Sequence, residues 1–556
     1  MGAPLSGAAS ASGLWEALTD RAATARSALH CWVGDRFDSA PWRQVVRDAQ
    51  AMTAGLRRAG VRSGTRVAAV LTNTPHAVRG VLAVWLAGGA LASLPAPARG
   101  LARDEYAGQL TGICAQLGPT LFLTDQRTLD VLPASLGEHV PVRSWESFVD
   151  SGRVDPSPPG DDELAFVQYS SGSTSAPKGC ALTPRAIAAQ LDLVMSVLEG
   201  RPGGEVTASW LPLSHDMGMF GCLLTPWAHD FELWLSTPER FTFSPRTWFG
   251  DLAEFGATVT AGTNTALHLS ARAGRSARLG RGLRTRVCVL GAERVDWDTL
   301  RLAVDAFGPH GLRAEAFTPA YGLAEATLAV TATPAAQAPR HLVLDAVALA
   351  DGELVEVAPD DPAATRVVSA GLPGRGVELV GMSADAPREI QVRSASLAEG
   401  YLGDERRTRE HFRDGTLLTG DLGFVRDGHL YPVGRVDDVL SVAGRKVHAR
   451  EIESAVDGLD GVRRGCSALV GHYDGGGLRL TLFVELRRGP ADYRALAERA
   501  AGLVMARGAV ALDECVFLER NSLPRTPSGK IQRHRCWPLF STGRFTPLAT
   551  VDLAAG

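Results

Sequence analysis

Apolar residues recur along the chain in two alternating rhythms. From Trp42 to Ala59 they fall at helical spacing and stop at Gly60; Val67–Leu71 then forms a short continuous apolar run. The exchange repeats, with a helix over 76–86 closed by Gly88-Gly89, a strand over 91–94, a helix over 106–117 and a strand over 120–124. Short unbroken apolar runs suit strands buried on both faces, and helices between them suit the crossovers of a parallel sheet. The pattern predicts an α/β fold built of mostly parallel βαβ units. Ligands of such sheets collect at the carboxyl ends of the strands.

Further along, Leu164–Tyr169 reads as a buried strand and Arg185–Leu198 as an apolar-periodic helix. Ser209–Gly221 reads as a strand ending in a polar turn, and Val287–Glu293 as a strand ending in a tight turn. Thr331–Gly371 is rich in Pro, Ala and Asp, a long surface excursion with room for a strand pair, Leu342–Leu344 and Leu354–Val357. Short segments after Gly371 (Val377–Val380, Glu389–Val392, Leu430–Val433) predict a small β-rich subdomain. The expected organisation is a large N-terminal domain over 1–434, with an insertion over 331–371 and the β-rich subdomain over 371–434, followed by a small mobile α+β C-terminal domain over 435–556.

Composition narrows the classes. The 556 residues are 45% hydrophobic and 21% charged, ordinary globular usage with ample material for a large core. A formal charge of −4 supplies no general attraction for nucleic acid. The eight cysteines have no paired spacing, which points away from zinc and disulfides and toward a reducing cytoplasm. No apolar run reaches the roughly 20 residues that span a bilayer, so no membrane insertion is expected. Met1–Gly13 is small and polar and reads as a frayed tail.

The chemistry concentrates after the strand at 164–169. Ser170, Ser171, Ser173 and Thr174 supply hydroxyls, Gly172 lets the backbone approach, and Lys178 supplies a cation, which is what a phosphate requires. The spacing is not that of the Walker loop, and composition alone would sooner suit a flexible linker. In Ala320–Leu328, Tyr321 can stack on a purine, Gly322 leaves room for a carboxylate and Glu325 offers oxygen to Mg²⁺; a strand-to-helix turn is the plain alternative. Asp421, in Leu418–Gly423 and expected to follow a strand, can accept from both hydroxyls of a ribose, and Arg435 can reach ribose or phosphate. Thr174 joins Glu325 as a metal candidate.

Taken in order, these stretches resemble the adenylate-forming superfamily of acyl-CoA synthetases, peptide-synthetase adenylation domains, luciferases and fatty acyl-AMP ligases. The loop Ser170–Gly179 departs from the usual phrase in having Ser175 for a glycine. Trp210–Gly218 (Trp-Leu-Pro-Leu-Ser-His-Asp-Met-Gly) and Tyr321–Leu328 are similar to fatty acyl-AMP ligases, and 331–371 resembles their insertion. Gly434–Glu453, with its Asp-Asp pair, is closer to acyl-CoA synthetases.

The resemblance implies ATP and Mg²⁺ as cofactors and a carboxylic acid as substrate. It also implies transfer of the acyl group to a phosphopantetheine thiol, on an acyl carrier protein or, alternatively, on CoA. A third alternative is a protein that binds adenylates and performs one half-reaction or none. By the same resemblance Gly291, Ala292 and Glu293 pack along adenine, and Trp210, His215, Asp216, Met217 and Phe220 sit at an acyl pocket. Asp437 is the implied hinge, and Lys530, in Leu523–Arg533, bridges carboxylate and α-phosphate.

Overall fold

The computed structural model describes residues 10–94, 103–130, 132–149, 152–170, 178–274, 279–361, 363–436, 439–442, 445–474, 477–487, 489, 492–525 and 531–554. Two mostly parallel sheets dominate. One has the strand order Val142–Ser144, Leu121–Thr124, Arg66–Val70, Ala90–Leu94, Phe166–Ser170, Lys178–Leu182, and only the last pair is antiparallel. The other is nine-stranded. Its parallel centre runs Ala28–Val33, Glu232–Leu235, Val206–Ser209, Val259–Gly262, Val287–Leu290, Phe317–Gly322, and antiparallel strands finish both edges.

Side chains from both sheets meet in one core with the helices Trp42–Arg58, Pro75–Leu86 and Pro184–Leu198 between them. Trp42, Trp85, Trp145 and Trp227 are fully buried there, and Trp42 stacks on Trp227. Local chemistry sets the helix ends. Thr183 caps Pro184–Leu198 by accepting from the Ala186 amide at 3.2 Å, and Pro184 occupies the first turn, where its missing N–H is no loss.

The rest is smaller. A five-stranded antiparallel sheet holds Glu378–Leu379, Arg388–Arg393, Phe412–Arg413, Thr416–Arg426 and His429–Arg435. After it come the hairpin Val439–Val442/Arg445–His448 and a four-stranded sheet of Val462–Asp474, Gly477–Leu486, Glu514–Leu518 and Pro547–Asp552. Helices Ala449–Val456 and Tyr493–Gly508 bury their apolar faces on that sheet.

Four expectations change. Leu342–Leu344 pairs with Ala364–Val368, because the helix Ala346–Asp351 fills the interval; 354–357 makes a single bridge, Leu344 to Glu356. The strand before Trp210 is Val206–Ser209, and Met217–Leu224 is helical, its apolar residues buried all round. Asp421 lies inside the strand Thr416–Arg426, beside a register shift. Finally, the described end of the supposed tail, Ser10–Gly13, is not frayed: Ser10 caps the helix Ala11–Glu16, and Trp15 donates to the Pro159 carbonyl at 2.9 Å. Among the described residues no helix is long and apolar enough to cross a membrane, and all eight cysteines are free and buried.

Candidate functional site

A cavity of about 710 Å³ opens at the carboxyl ends of the nine-stranded sheet. Its polar end is lined by Tyr321, Glu325, Asp421, Arg435 and Lys178, and an apolar limb runs past Met217, Leu328, Ala261 and Val259 to Val194 and Leu198.

The polar end is held by cross-strand bonds. Asp421 and Arg435 are register partners, and the Arg435 Nε lies 3.1 Å from Asp421 Oδ1. Tyr321 donates its hydroxyl to Asp421 Oδ2 at 2.7 Å. Burial, then the Asp421 carboxylate, pushes the Tyr321 phenol well above its usual range, so it stays a donor. Thr419 orients the aspartate from below: its hydroxyl accepts from the Asp421 amide at 3.1 Å and donates to the Ile390 carbonyl at 2.8 Å.

The turn after Tyr321 is tightly built. The chain reverses through Ala324–Ala326 into the antiparallel strand Ala329–Ala332, so Glu325 sits on a short 3₁₀ turn and caps no helix. A Cβ at Gly322 would lie 1.8 Å from the Leu328 carbonyl oxygen. Glycine is demanded there by the turn itself, besides any room a substrate gains. Thr327 has φ +67°, a region that β-branched residues avoid, and it is held by its hydroxyl bond to the Ser396 carbonyl at 2.7 Å.

Lys178 opens the strand that returns from 171–177, paired with Ser170. On its other side this strand is stitched to Glu399–Leu402 by the bonds Ala181 N to Gly400 O and Leu402 N to Gly179 O. That puts the Tyr401 ring under the Lys178 ammonium, 5.4 Å to the centroid, while the Tyr401 hydroxyl donates to Glu325 Oε1 at 2.8 Å. Reading the sequence missed Tyr401; a lone Gly-Tyr carries no signal until the strand beside it is known.

Asn73 was missed as well. Its buried amide donates to Leu211 O at 2.9 Å and Ser236 O at 2.8 Å and accepts from Leu213 N at 3.0 Å, fixing the segment before His215. His215 and Asp216 pair side by side at 2.6 Å, and with Met217 they line the cavity. Trp210 and Phe220 are not among the lining residues: Trp210 stacks on Phe241, and Phe220 packs edge-on against Phe166 in the core.

Gly291, Ala292 and Glu293 line the cavity, Ala292 with φ +64°. The Glu293 carboxylate accepts from the amide and hydroxyl of Thr265, capping the helix Asn264–Gly274. The next residue, Arg294, bonds Glu451 of the C-terminal part; Glu451 also accepts from Thr365. Burial pulls the Arg294 guanidinium down to about 10.

The C-terminal part also contributes Arg450 and Ile531 to the lining of the cavity. Lys530, the neighbour of Ile531, lies outside the described residues, as do Ser171, Gly172, Ser173, Thr174, Ser175 and Asp437.

Comparison with known proteins gives the site its context. A family model described as AMP-binding enzyme matches residues 18–402. A Mycobacterium tuberculosis protein described as a ligase is 32% identical over 513 residues, 88% of this chain and 93% of its own. A medium-chain-fatty-acid–[acyl-carrier-protein] ligase of Moorena producens is 30% identical, covering 69% of this chain and 68% of its own. A solved structure from a study of fatty acyl-adenylate ligases of E. coli and L. pneumophila superposes with a TM-score of 0.86 at 25% identity, over 96% of this chain and 98% of that one. The chain belongs to the AMP-binding enzyme family: it is an adenylate-forming ligase, most like the fatty acyl-AMP ligases.

Proposed function

We propose that this ligase joins an apolar carboxylic acid to ATP, releasing pyrophosphate, and then passes the acyl group to the phosphopantetheine thiol of an acyl carrier protein. The observation that carries the reading is the lining of the cavity, in which charged side chains (Lys178, Glu325, Asp421, Arg435) and apolar ones (Val194, Leu198, Met217, Val259, Leu328) border one space together with the Tyr321–Glu325 turn. A carboxylate arriving along the limb would face the phosphates of a nucleotide whose ribose is held at Asp421. The carrier-protein acceptor is supported by the Moorena relative, which acts on that acceptor by its name.

The side chains divide the work by charge. Asp421, with each oxygen already aimed by Tyr321 or Arg435, accepts from ribose hydroxyls, and the Gly291–Glu293 turn offers a backbone wall for the base. Lys178 and Arg435 offset phosphate charge, and Lys530 is assigned the charge that builds up as the carboxylate oxygen bonds the α-phosphorus and pyrophosphate leaves. His215, Asp216 and Met217 border the incoming acid.

Glu325 fits Mg²⁺. It is a hard carboxylate with Oε1 fixed by Tyr401, and no group of three His, Cys, Asp or Glu able to hold a metal occurs among the described residues. One carboxylate plus substrate phosphates is the usual way Mg²⁺ is held, with Thr174 as a second oxygen. When bound, the ion neutralises phosphate charge.

Pyrophosphate release with ATP, Mg²⁺ and a panel of acids tests the first step, and no release with any acid would sink the reading. Adding CoA or holo carrier protein and weighing the thioester decides the acceptor. CoA is the second reading, favoured by the Gly434–Glu453 phrase; rotation of the C-terminal part about Asp437 would serve either acceptor. Lys530→Ala should stop pyrophosphate release and spare thioester formation from a supplied acyl-adenylate.

A further inference from the structure

The apolar limb ends on one unexplained hydroxyl. Thr207 lies in the strand Val206–Ser209, is only 2% exposed and lines the cavity, yet its Oγ1 has no hydrogen-bond partner. Its surroundings are aliphatic: Val259, its register partner, with Val194 and Leu198 from the facing helix. A buried hydroxyl without a partner destabilises a protein, and valine fills the same volume without the oxygen. Thr260 of the neighbouring strand shows the ordinary solution, donating to Ala208 O at 2.7 Å and accepting from Trp248 Nε1. Thr318 of the same sheet also has an unpartnered Oγ1, but of the two only Thr207 lines the cavity.

We infer that Thr207 is a subsite for a hydrogen-bonding oxygen on the acyl chain, and that the preferred acid is a hydroxy or keto acid with that oxygen far from the carboxylate. The inference rests on the proposed function and narrows its substrate class. The sheet gives the distance. Thr207 is level with Val259, Val259 with Val287, and Gly291, four residues on and just past the carboxyl end of that strand, also lines the cavity. Four residues at about 3.3 Å each make the limb about 13 Å deep. An extended chain with carbon–carbon bonds of about 1.5 Å advances roughly 1.25 Å per bond, so the oxygen belongs about ten bonds from the carboxylate. A hydroxyl there can donate to or accept from Thr207, and a ketone can accept; a plain alkyl end leaves the Thr207 oxygen unpaired.

The test compares decanoic acid with 10-hydroxydecanoic acid and with ω-hydroxy acids of about eight to twelve carbons, a span set by the bond-length estimate. Pyrophosphate release is read for the full chain and for Thr207→Val and Thr207→Ser. The unmodified protein should favour one hydroxy acid over its alkyl counterpart by on the order of tenfold in kcat/KM. Thr207→Val should abolish or invert that ratio, chiefly by improving the alkyl acid, and Thr207→Ser should keep it.

The Val variant without substrate should melt no lower than the parent, since it removes an unpaired oxygen. A ratio unchanged by Thr207→Val, a parent preference for alkyl acids, or a destabilised Val variant would each overturn the subsite. Release with alkyl acids alone leaves the proposed function standing and removes the subsite; no release with any acid removes both.

Discussion

The Tyr401 hydroxyl stands 2.8 Å from Glu325 Oε1, and its ring lies 5.4 Å beneath the Lys178 ammonium. One side chain therefore links the carboxylate assigned to Mg²⁺ with the lysine that follows residues 171–177. Burial pushes the phenol far above its usual range, so it donates at every working pH. Tyr401→Phe keeps the ring and loses the bond. A hydrogen bond to a charged group contributes about 1.5–3 kcal/mol, so half-maximal Mg²⁺ should rise about tenfold or more. Titrating pyrophosphate release with Mg²⁺ checks it; an unchanged midpoint means Glu325 does not hold the ion.

Asp421 is aimed by two partners, Tyr321 and Arg435. Asp421→Ala should raise KM for ATP by on the order of thirtyfold, about 2 kcal/mol, with a smaller effect on kcat, because a ribose contact binds ground and transition states alike. Tyr321→Phe, which leaves the Arg435 pair, should cost much less. Initial-rate kinetics in ATP separates the two.

Asn73→Ala would leave two buried carbonyls and one amide unpaired beside the His215 turn. The expected cost is about 2–4 kcal/mol, seen as a drop in melting temperature. Acid activation should fall as well, because His215 and Met217 follow directly in the chain.

The contact between the two parts of the chain should respond to pH. Arg464 bonds Asp296 at 2.7 Å and approaches His268 Nδ1 at 3.4 Å. Burial first, then Arg464, Arg272 and Arg487, with Asp296 opposing, lower His268 from 6.5 to about 4. A depressed value means the docked form binds fewer protons than the undocked one. Arg464 and Arg487 come with the C-terminal part, so their share of the depression favours docking at neutral pH and is lost as pH falls from about 6.5 toward 4. Limited proteolysis should release the C-terminal part more readily in that window, and His268→Gln should flatten the response.

Much of this protein could be read from its residues. The helices Trp42–Arg58, Pro75–Leu86 and Pro184–Leu198 and the strands beside them announce themselves because burial imposes a period and caps mark the ends. Leu342–Leu344 found the wrong partner, since strand pairing across a long span depends on what fills the interval. Phe220 looked like a pocket residue beside Met217, but helical geometry turns it toward Phe166.

The order of motifs determined the family, because phosphate, ribose and metal each need particular atoms and only a few residue types carry them. Where those atoms stand was decided by the sheets. Tyr401 came to Glu325 through pairing between segments more than two hundred residues apart, and Thr207 acquired its meaning only when the surrounding wall was seen to offer it nothing. Residue chemistry is local and survives in a string of letters; hydrogen bonds and burial depend on neighbours that folding alone supplies.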